Sequence, residues 1–189
     1  MKPDIQRHLI SREDVLRLIG PLNAMETTFS ESAQKWQLLD ESGHMPAAPS
    51  FTELFQHATE AQDLSRDVFR LTGRFAASPH STIRAGRAAL AHLARASTMS
   101  AHAASHFSET AEAALNLSRV TSPADQRYLK NRMVIDHAAA RAYLRRTSEA
   151  MRDAVKELNG HLDFHRLFPA PSRRERPVPS PPGPSGRHR

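Results

Sequence analysis

Apolar residues recur every three or four positions near the start of the chain, which is the period of a helix with one buried face. The pattern has eight positions, and all but Ser32 are apolar: Val15, Leu18, Leu22, Met25, Phe29, Ser32, Trp36 and Leu39. Ser11, followed three residues later by Asp14, is a capping-box-like sequence and predicts the start of the helix. Pro21 lies inside the pattern, so we expect a kink there or a new start near Gly20. Residues 41–49 are predicted to form a loop.

The helical period continues in a second and a third segment. Ser50 and Glu53 form a capping box that opens the second helix, and Pro79 ends it. Its apolar seam includes His57, and three phenylalanines lie beside that seam: Phe51, Phe55 and Phe69. The third helix, residues 81–119, has small residues in the middle of its seam. It is therefore expected either to pack unusually close to its neighbours or to break near Ser97–Ser100.

The fourth helix has the clearest start in the sequence. Ser122 is a residue type favoured at the N-cap. Pro123 follows at the first helical position, where an N–H group would have no partner within the helix. Asn159 and Gly160 predict the end of this helix. The short apolar piece at residues 161–168 is then expected to fold back as a capping helix over one end of the bundle.

Together these segments predict an all-α fold, an antiparallel up-down four-helix bundle of long helices with a short C-terminal capping helix. The bundle is assigned to residues 1–168. Residues 169–189 contain seven of the thirteen prolines and five arginines. This segment cannot bury enough apolar surface to fold, so we predict a disordered tail. Within it, residues 176–182 match the RxxPxxP pattern of peptides that SH3 domains bind.

Composition narrows the classes of function. The chain has no cysteine, which excludes disulfides, thiolate zinc sites and cysteine nucleophiles. It also lacks a signal-peptide pattern and an apolar run long enough to span a membrane, so we expect a cytoplasmic location. No Walker loop, G-x-S-x-G or HExxH motif occurs in the sequence. We therefore expect no cofactor and no catalytic residues.

The formal net charge of the chain is +6, and the excess of positive charge lies in its second half. Six basic residues of the fourth helix fall within an arc of about 80° at 100° per residue: Arg127, Lys130, Arg141, Arg145, Arg152 and Lys156. A stripe of this kind could follow a line of phosphates and makes nucleic acid a possible partner. The alternative is an interhelical face whose charges are matched by acids such as Glu26, Glu31, Glu53, Glu60 and Asp67.

Polar residues interrupt all four apolar seams at similar heights. When the helices are reflected through their turns, five such residues fall in roughly one layer: Ser32, His57, Ser97, Ser100 and His137. We interpret this layer as a hydrogen-bonded set that fixes the register of the helices. His102 and His106 form an HxxxH pair, but they point away from the seam. Without a third ligand they are expected to lie on a solvated face, so no metal site is predicted.

These features favour a non-enzymatic helical-bundle protein that acts by binding another macromolecule, with protein as the favoured partner. The alternative is an accessory nucleic-acid-binding protein that uses the basic stripe and the basic tail. An enzyme that depends on a metal or a cofactor is the least favoured reading. The sequence leaves the identity of the partner and the oligomeric state open.

Overall fold

Four α-helices make up most of the protein. The computed structural model describes residues 10–167, with side chains through residue 163. The helices are α1 (Arg12–Lys35), α2 (Phe51–Ala76), α3 (Arg84–Leu117) and α4 (Pro123–Leu167), and a 3-10 turn (Pro79–Thr82) lies between α2 and α3. This part of the chain contains no strand, which confirms the all-α prediction with four helices. The predicted tail, residues 169–189, and its RxxPxxP segment lie outside the described residues.

The helix starts follow the capping signals in the sequence. The Ser11 hydroxyl accepts a hydrogen bond from the backbone N–H of Asp14 at 3.1 Å, and α1 begins at Arg12. The Ser50 hydroxyl accepts one from the N–H of Glu53 at 3.3 Å in front of α2. Each bond satisfies an N–H group that has no partner within the helix. α4 begins at Pro123, as predicted.

α1 runs through Pro21 as one helix, so the new start expected near Gly20 does not occur. The Pro21 ring is exposed, whereas Ile19 and Leu22 on either side of it are buried. A proline inside a helix costs about 3 kcal/mol because it removes a hydrogen bond and crowds the preceding turn. Burial of the residues around it offsets that cost, and the helix continues.

α3 is also continuous and does not break near Ser97–Ser100. The Ser97 hydroxyl lies 3.0 Å from that of Thr72 on α2, and the Ser100 hydroxyl lies 3.2 Å from that of Ser65. Short side chains allow α2 and α3 to approach each other closely enough for these contacts. Of the two alternatives left open by the sequence, close packing is therefore correct.

α4 continues past Asn159 and Gly160 to Leu167, so the predicted helix end is wrong. The predicted capping helix is the last part of α4 rather than a separate element. Its residues pack onto the start of α1, where the backbone N–H of Ile10 donates to Nε2 of the buried His161 at 3.1 Å. A glycine inside a helix costs roughly 0.5–1 kcal/mol, and packing at His161 and Leu162 offsets it.

Three clusters of buried side chains fill the space between the helices. The central cluster includes Phe29, Trp36, Ala61, Val68, Ala103, Phe107, Ala140, Leu144 and Met151. A second cluster joins the start of α1 to the end of α2, the start of α3 and the later part of α4, through residues such as Val15, Phe75, Leu93 and Leu158. A third contains Leu38, Leu54, Ala111, Ala114 and Met133. The most extensive contacts between helices are those of α3 with α4, α2 with α3, and α1 with α4.

The start of α3 lies directly against the 3-10 turn. At Gly86 a Cβ atom would overlap the backbone carbonyl group of His80. Only glycine allows the two backbone segments to approach this closely, and this contact sets where α3 leaves the turn.

No helix in residues 10–167 is long and apolar enough to cross a membrane.

Candidate functional site

Two members of the predicted basic stripe on α4 are matched by carboxylates. Arg152 pairs with the Glu26 carboxylate of α1, and the Ser148 hydroxyl donates to the same oxygen at 3.0 Å. The hydrogen bond from Arg152 holds the pKa of Glu26 below its usual value. The Lys156 ammonium lies 2.9 Å from the Asp153 carboxylate. These two basic side chains are therefore neutralised within the protein.

A third member, Arg141, is bound to the backbone of α1. Its Nε donates to the carbonyl oxygen of Ala33 at 2.9 Å. The last carbonyls of a helix lack intrahelical partners and carry partial negative charge, so a guanidinium is a favourable group there. Burial, and secondarily the neighbouring Arg145, lowers the pKa of Arg141. Arg141 thus fastens α4 to the end of α1.

The other three basic residues have no such engagement. Arg127 and Arg145 are exposed, and Lys130 is half-buried. Within residues 10–163, none of the three has a carboxylate within ion-pair distance. The predicted stripe is thus divided between side chains that project freely and side chains that hold the helices together.

The serines and the histidines of the predicted polar layer lie in two different parts of the structure. Ser97 and Ser100 are buried between α2 and α3 and share hydrogen bonds with Thr72 and Ser65. Each also donates to a carbonyl within α3. None of the hydrogen bonds in the described part of the chain joins these serines to His57 or His137. The five residues therefore do not form the expected single hydrogen-bonded set, because the serines are satisfied along the α2–α3 contact instead.

The two histidines of that prediction lie around Phe107 in the central cluster. The His57 ring is stacked on Trp36 with a centroid separation of 5.0 Å, and it lies 6.3 Å from Phe107. The His137 ring meets Phe107 edge-on at 5.4 Å. The fifth residue, Ser32, is half-buried one turn before Trp36 on α1. Aromatic contacts, rather than a hydrogen-bonded set, hold these imidazoles.

Burial makes both imidazoles poor proton acceptors. Desolvation lowers the pKa of His137 to about 4, with smaller contributions from the charges of Arg141 and His57. Burial also lowers the pKa of His57, against the opposing effect of Glu53 and Glu60. His57 Nδ1 and His137 Nε2 are buried without a hydrogen-bond partner. Both rings are therefore neutral near pH 7 and act as packing groups in the core.

The second HxxxH residue, His106, is not simply on a solvated face. His102 is exposed, as expected, but both imidazoles lie against the ring of Tyr143 on α4. His106 Nδ1 lies 3.2 Å from Oδ1 of Asp136 and 3.7 Å from Oε2 of Glu109. One atom of each of these three residues can be chosen so that all lie within 4.8 Å of one another.

Sequence reasoning missed this imidazole–carboxylate cluster because it considered each helix face separately. Glu109 follows His106 by three residues and thus shares its face of α3. The connection between α3 and α4 is centred near residue 121, so positions 106 and 136 lie equally far from it. That spacing is the sequence signal that could have paired His106 with Asp136.

Three phenylalanines lie on one exposed face of α2. We call Phe51, Phe55 and Phe69 the aromatic face of α2. Phe55 and Phe69 are 56% and 53% exposed, and Phe51 stacks on Phe55 with a centroid separation of 5.7 Å. Two of these rings help to line a pocket of about 260 Å³ between α2 and α3, together with Ala58, Thr59, Gln62, Ser108, Ala111, Glu112 and Leu115. Half-exposed aromatic side chains that rim a groove are typical of a contact surface.

The aromatic face of α2 has a symmetric spacing about Gln62. Phe55 and Phe69 stand seven residues before and after it, and seven residues are two helical turns. Phe51 and Gly73 stand eleven residues before and after it. A Cβ atom at Gly73 would meet nothing within 4 Å, so this position is an open notch on the helix surface. The positions are therefore symmetric about Gln62, with a large residue at one end and a small residue at the other.

A scan of the chain against protein-family models found no match, and searches of curated proteins and of solved structures returned no significant match.

Proposed function

We propose that this chain is a non-enzymatic, cytoplasmic helical-bundle protein that acts by binding protein, with the aromatic face of α2 as the contact surface. The observation that carries the proposal is the exposure of Phe55 and Phe69 on one face of α2, with Phe55 beside an open groove. Fully burying a phenylalanine contributes about 1.5–3 kcal/mol relative to leaving it exposed. About half of each ring is already covered, so burying the exposed parts of Phe55 and Phe69 would contribute roughly 1.5–3 kcal/mol in total to binding.

The architecture that presents this surface is, in our proposal, an antiparallel up-down bundle. The second cluster combines the first residues of α1 and α3 with the last residues of α2 and the later part of α4. The third combines the first residues of α2 and the early part of α4 with the last turns of α3. This alternation supports helices that run up and down in turn. In such a bundle α2 has one side in the core and an adjacent side that carries the aromatic face.

The partner that fits the pattern is a second copy of the chain. When two α2 helices pack antiparallel about Gln62, Phe55 of one copy faces Phe69 of the other. Phe51 then faces the open notch at Gly73 of its partner. Because residue i meets residue j while j meets i, the contact closes on itself as a two-fold interface. α2 has 26 residues, or ~39 Å of helix, which is long enough for an interface of standard size, about 800 Å² per partner.

Charges on α2 are compatible with this contact. Arg66 is paired with Asp63, and Arg70 with Asp67, each within the same helix. When the two helices pack antiparallel about Gln62, Arg66 of one copy lies opposite residue 58 of the other, and Arg70 lies opposite residue 54. Neither arginine is therefore opposite the same arginine of the second copy. The interface therefore brings no like charges together at its centre.

Sedimentation equilibrium of the full chain across a micromolar concentration series tests this proposal. We expect a dimer for the wild-type protein and a monomer for Phe55→Glu, because a carboxylate would be buried without a partner. The matched control is Ile135→Glu, which removes an exposed apolar side chain of α4 and should leave the dimer intact. A wild-type protein that stays monomeric throughout the series, or equal effects of the two substitutions, would contradict the proposal.

Nucleic-acid binding is the second candidate, and one observation favours it. Arg127, Lys130 and Arg145 have no carboxylate partner within residues 10–163. Only half of the predicted stripe is available in this way, which supports weak contacts to phosphate rather than a continuous track. This candidate therefore ranks below protein binding.

A further inference from the structure

We propose that His106, Glu109 and Asp136 form a binding site for a divalent transition-metal cation of the zinc class. The site lies between α3 and α4, away from the aromatic face of α2, and it is independent of the proposed protein binding. An imidazole and two carboxylates are a set of nitrogen and oxygen donors that Zn²⁺ accepts in proteins. Ca²⁺ and Mg²⁺ prefer oxygen donors alone, so the imidazole favours a transition metal.

Two of the distances between donor atoms are close to those around a small tetrahedral cation. His106 Nδ1 lies 3.2 Å from Asp136 Oδ1 and 3.7 Å from Glu109 Oε2. Zinc bonds of about 2.0–2.2 Å at tetrahedral angles separate ligand atoms by roughly 3.4 Å. These two distances are close to that value, and one ligand atom of each of the three residues can be chosen so that all lie within 4.8 Å of one another. A fourth position would be left for water.

Asp136 is the most buried of the three ligands. Its side chain is only 10% exposed, and its Oδ2 is buried without a hydrogen-bond partner. A buried carboxylate is costly unless a positive charge and hydrogen bonds compensate it. The one guanidinium near Oδ2 is that of Arg132, at 3.4 Å and 41% exposed. Because Arg132 is on the solvent side of the helix, it can turn outward when a metal ion takes its place.

Neighbouring side chains hold two of the ligands in position. The Ser105 hydroxyl donates to Glu109 Oε1 at 3.2 Å, so the other carboxylate oxygen is the one that approaches His106. The His106 ring lies nearly parallel to Tyr143, with an interplanar angle of 9°. Outer contacts of this kind orient metal ligands, and their loss commonly weakens metal binding by about 10–100-fold.

The competing explanation is an ion-free network in which His106 donates to Asp136 and Arg132 neutralises the carboxylate. The two explanations predict different effects when these side chains are replaced. A purely structural network changes stability when it is altered, whereas a metal site also changes the affinity for the ion. Zinc affinity is therefore the measurement that separates them.

The experiment is a calorimetric titration of the metal-free full chain with ZnCl₂, together with Co²⁺ absorption spectra in the visible range. The chain has eleven histidines, so each variant is compared with the wild type rather than with zero binding. We expect one Zn²⁺ per chain in the wild-type protein. His106→Gln and Glu109→Gln should weaken that site by more than about tenfold, since loss of a ligand costs at least as much as loss of its outer contact.

Ser105→Ala and Asp136→Asn complete the set. Ser105→Ala should weaken Zn²⁺ binding about tenfold with unchanged circular dichroism, which a loss of folding could not explain. Asp136→Asn is interpreted only at temperatures where its helix signal equals that of the wild type. His102→Gln, on the same face one turn away, is the control and should leave the affinity unchanged. The proposal is overturned if the wild type shows no stoichiometric binding, or if His106→Gln and Glu109→Gln bind Zn²⁺ as the wild type does.

Discussion

The ring of Phe107 meets the imidazole of His137 edge-on, with ring centroids 5.4 Å apart. His137 is only 3% exposed, and its Nε2 has no hydrogen-bond partner. The imidazole therefore stands in an apolar part of the core where a positive charge would be poorly solvated. Burial of His137 therefore makes the stability of the protein depend on pH.

Acid should destabilise the protein through His137. Its pKa in the folded protein is lowered from 6.5 to about 4, so between these values the unfolded chain binds more protons than the folded one. Stability is therefore full above pH 6.5 and falls as the pH drops toward 4. At about 1.4 kcal/mol per pH unit of difference, the loss reaches about 3 kcal/mol. Urea denaturation at pH 7 and pH 5 measures this slope.

Two variants identify the source of the pH dependence. His137→Gln should flatten the slope between pH 6.5 and 5, because the substituted amide does not titrate. Leu144→Ala, a buried neighbour in the same cluster, should lower stability by about 2–5 kcal/mol without changing the slope. Equal slopes for His137→Gln and the wild type would show that this imidazole does not control the acid response.

Gly86 and Gly160 should respond oppositely to alanine. A Cβ atom at Gly86 would overlap the His80 carbonyl group, whereas one at Gly160 would meet nothing within 4 Å. Both residues lie in helices, where alanine is favoured over glycine by roughly 0.5–1 kcal/mol. We expect Gly160→Ala to raise the melting temperature and Gly86→Ala to lower it. Thermal denaturation followed by circular dichroism compares the pair, and a higher melting temperature for Gly86→Ala would contradict the close approach.

The divided stripe on α4 gives a prediction about salt dependence. Binding to duplex DNA weakens with salt by about 0.9 log units per log unit of salt for each phosphate contact. Arg127→Gln with Arg145→Gln should therefore reduce the magnitude of the slope by about 1.8. Arg152→Gln should leave the slope unchanged, because Glu26 already neutralises Arg152. Fluorescence anisotropy with a labelled duplex measures each slope. Equal reductions per arginine would show that Arg152 contacts phosphate as Arg127 and Arg145 do, and would contradict the division of the stripe.

The sequence predicted the helices better than it predicted their ends. Ser11, Ser50 and Pro123 mark helix starts by local chemistry, and the structure begins helices at each of them. Pro21 and Gly160 are local signals of the opposite kind, and in both places tertiary packing outweighs the local cost. Local preference decides where a helix can begin. Whether it stops depends on contacts from other parts of the chain.

Contacts between helices were harder to predict than their buried faces. Reflection through the turns placed His57 and His137 at similar heights, and both do lie around Phe107. The same reflection placed Ser97 and Ser100 in that layer, whereas they bond to α2 elsewhere. Reflection gives height along the bundle but not which side of a helix faces which neighbour. For the same reason the pairing of His106 with Asp136 could not be seen from either helix alone.

A charge exchange across the aromatic face of α2 tests the central claim most directly. In the antiparallel dimer, positions 55 and 69 of the two copies face each other at both ends of the interface. Phe55→Glu and Phe69→Arg should each give a monomer, and so should the double variant Phe55→Glu/Phe69→Glu. The double variant Phe55→Glu/Phe69→Arg places a carboxylate opposite a guanidinium at both ends. Sedimentation equilibrium should show that it forms a dimer again, and a monomer indistinguishable from Phe55→Glu/Phe69→Glu would contradict the account.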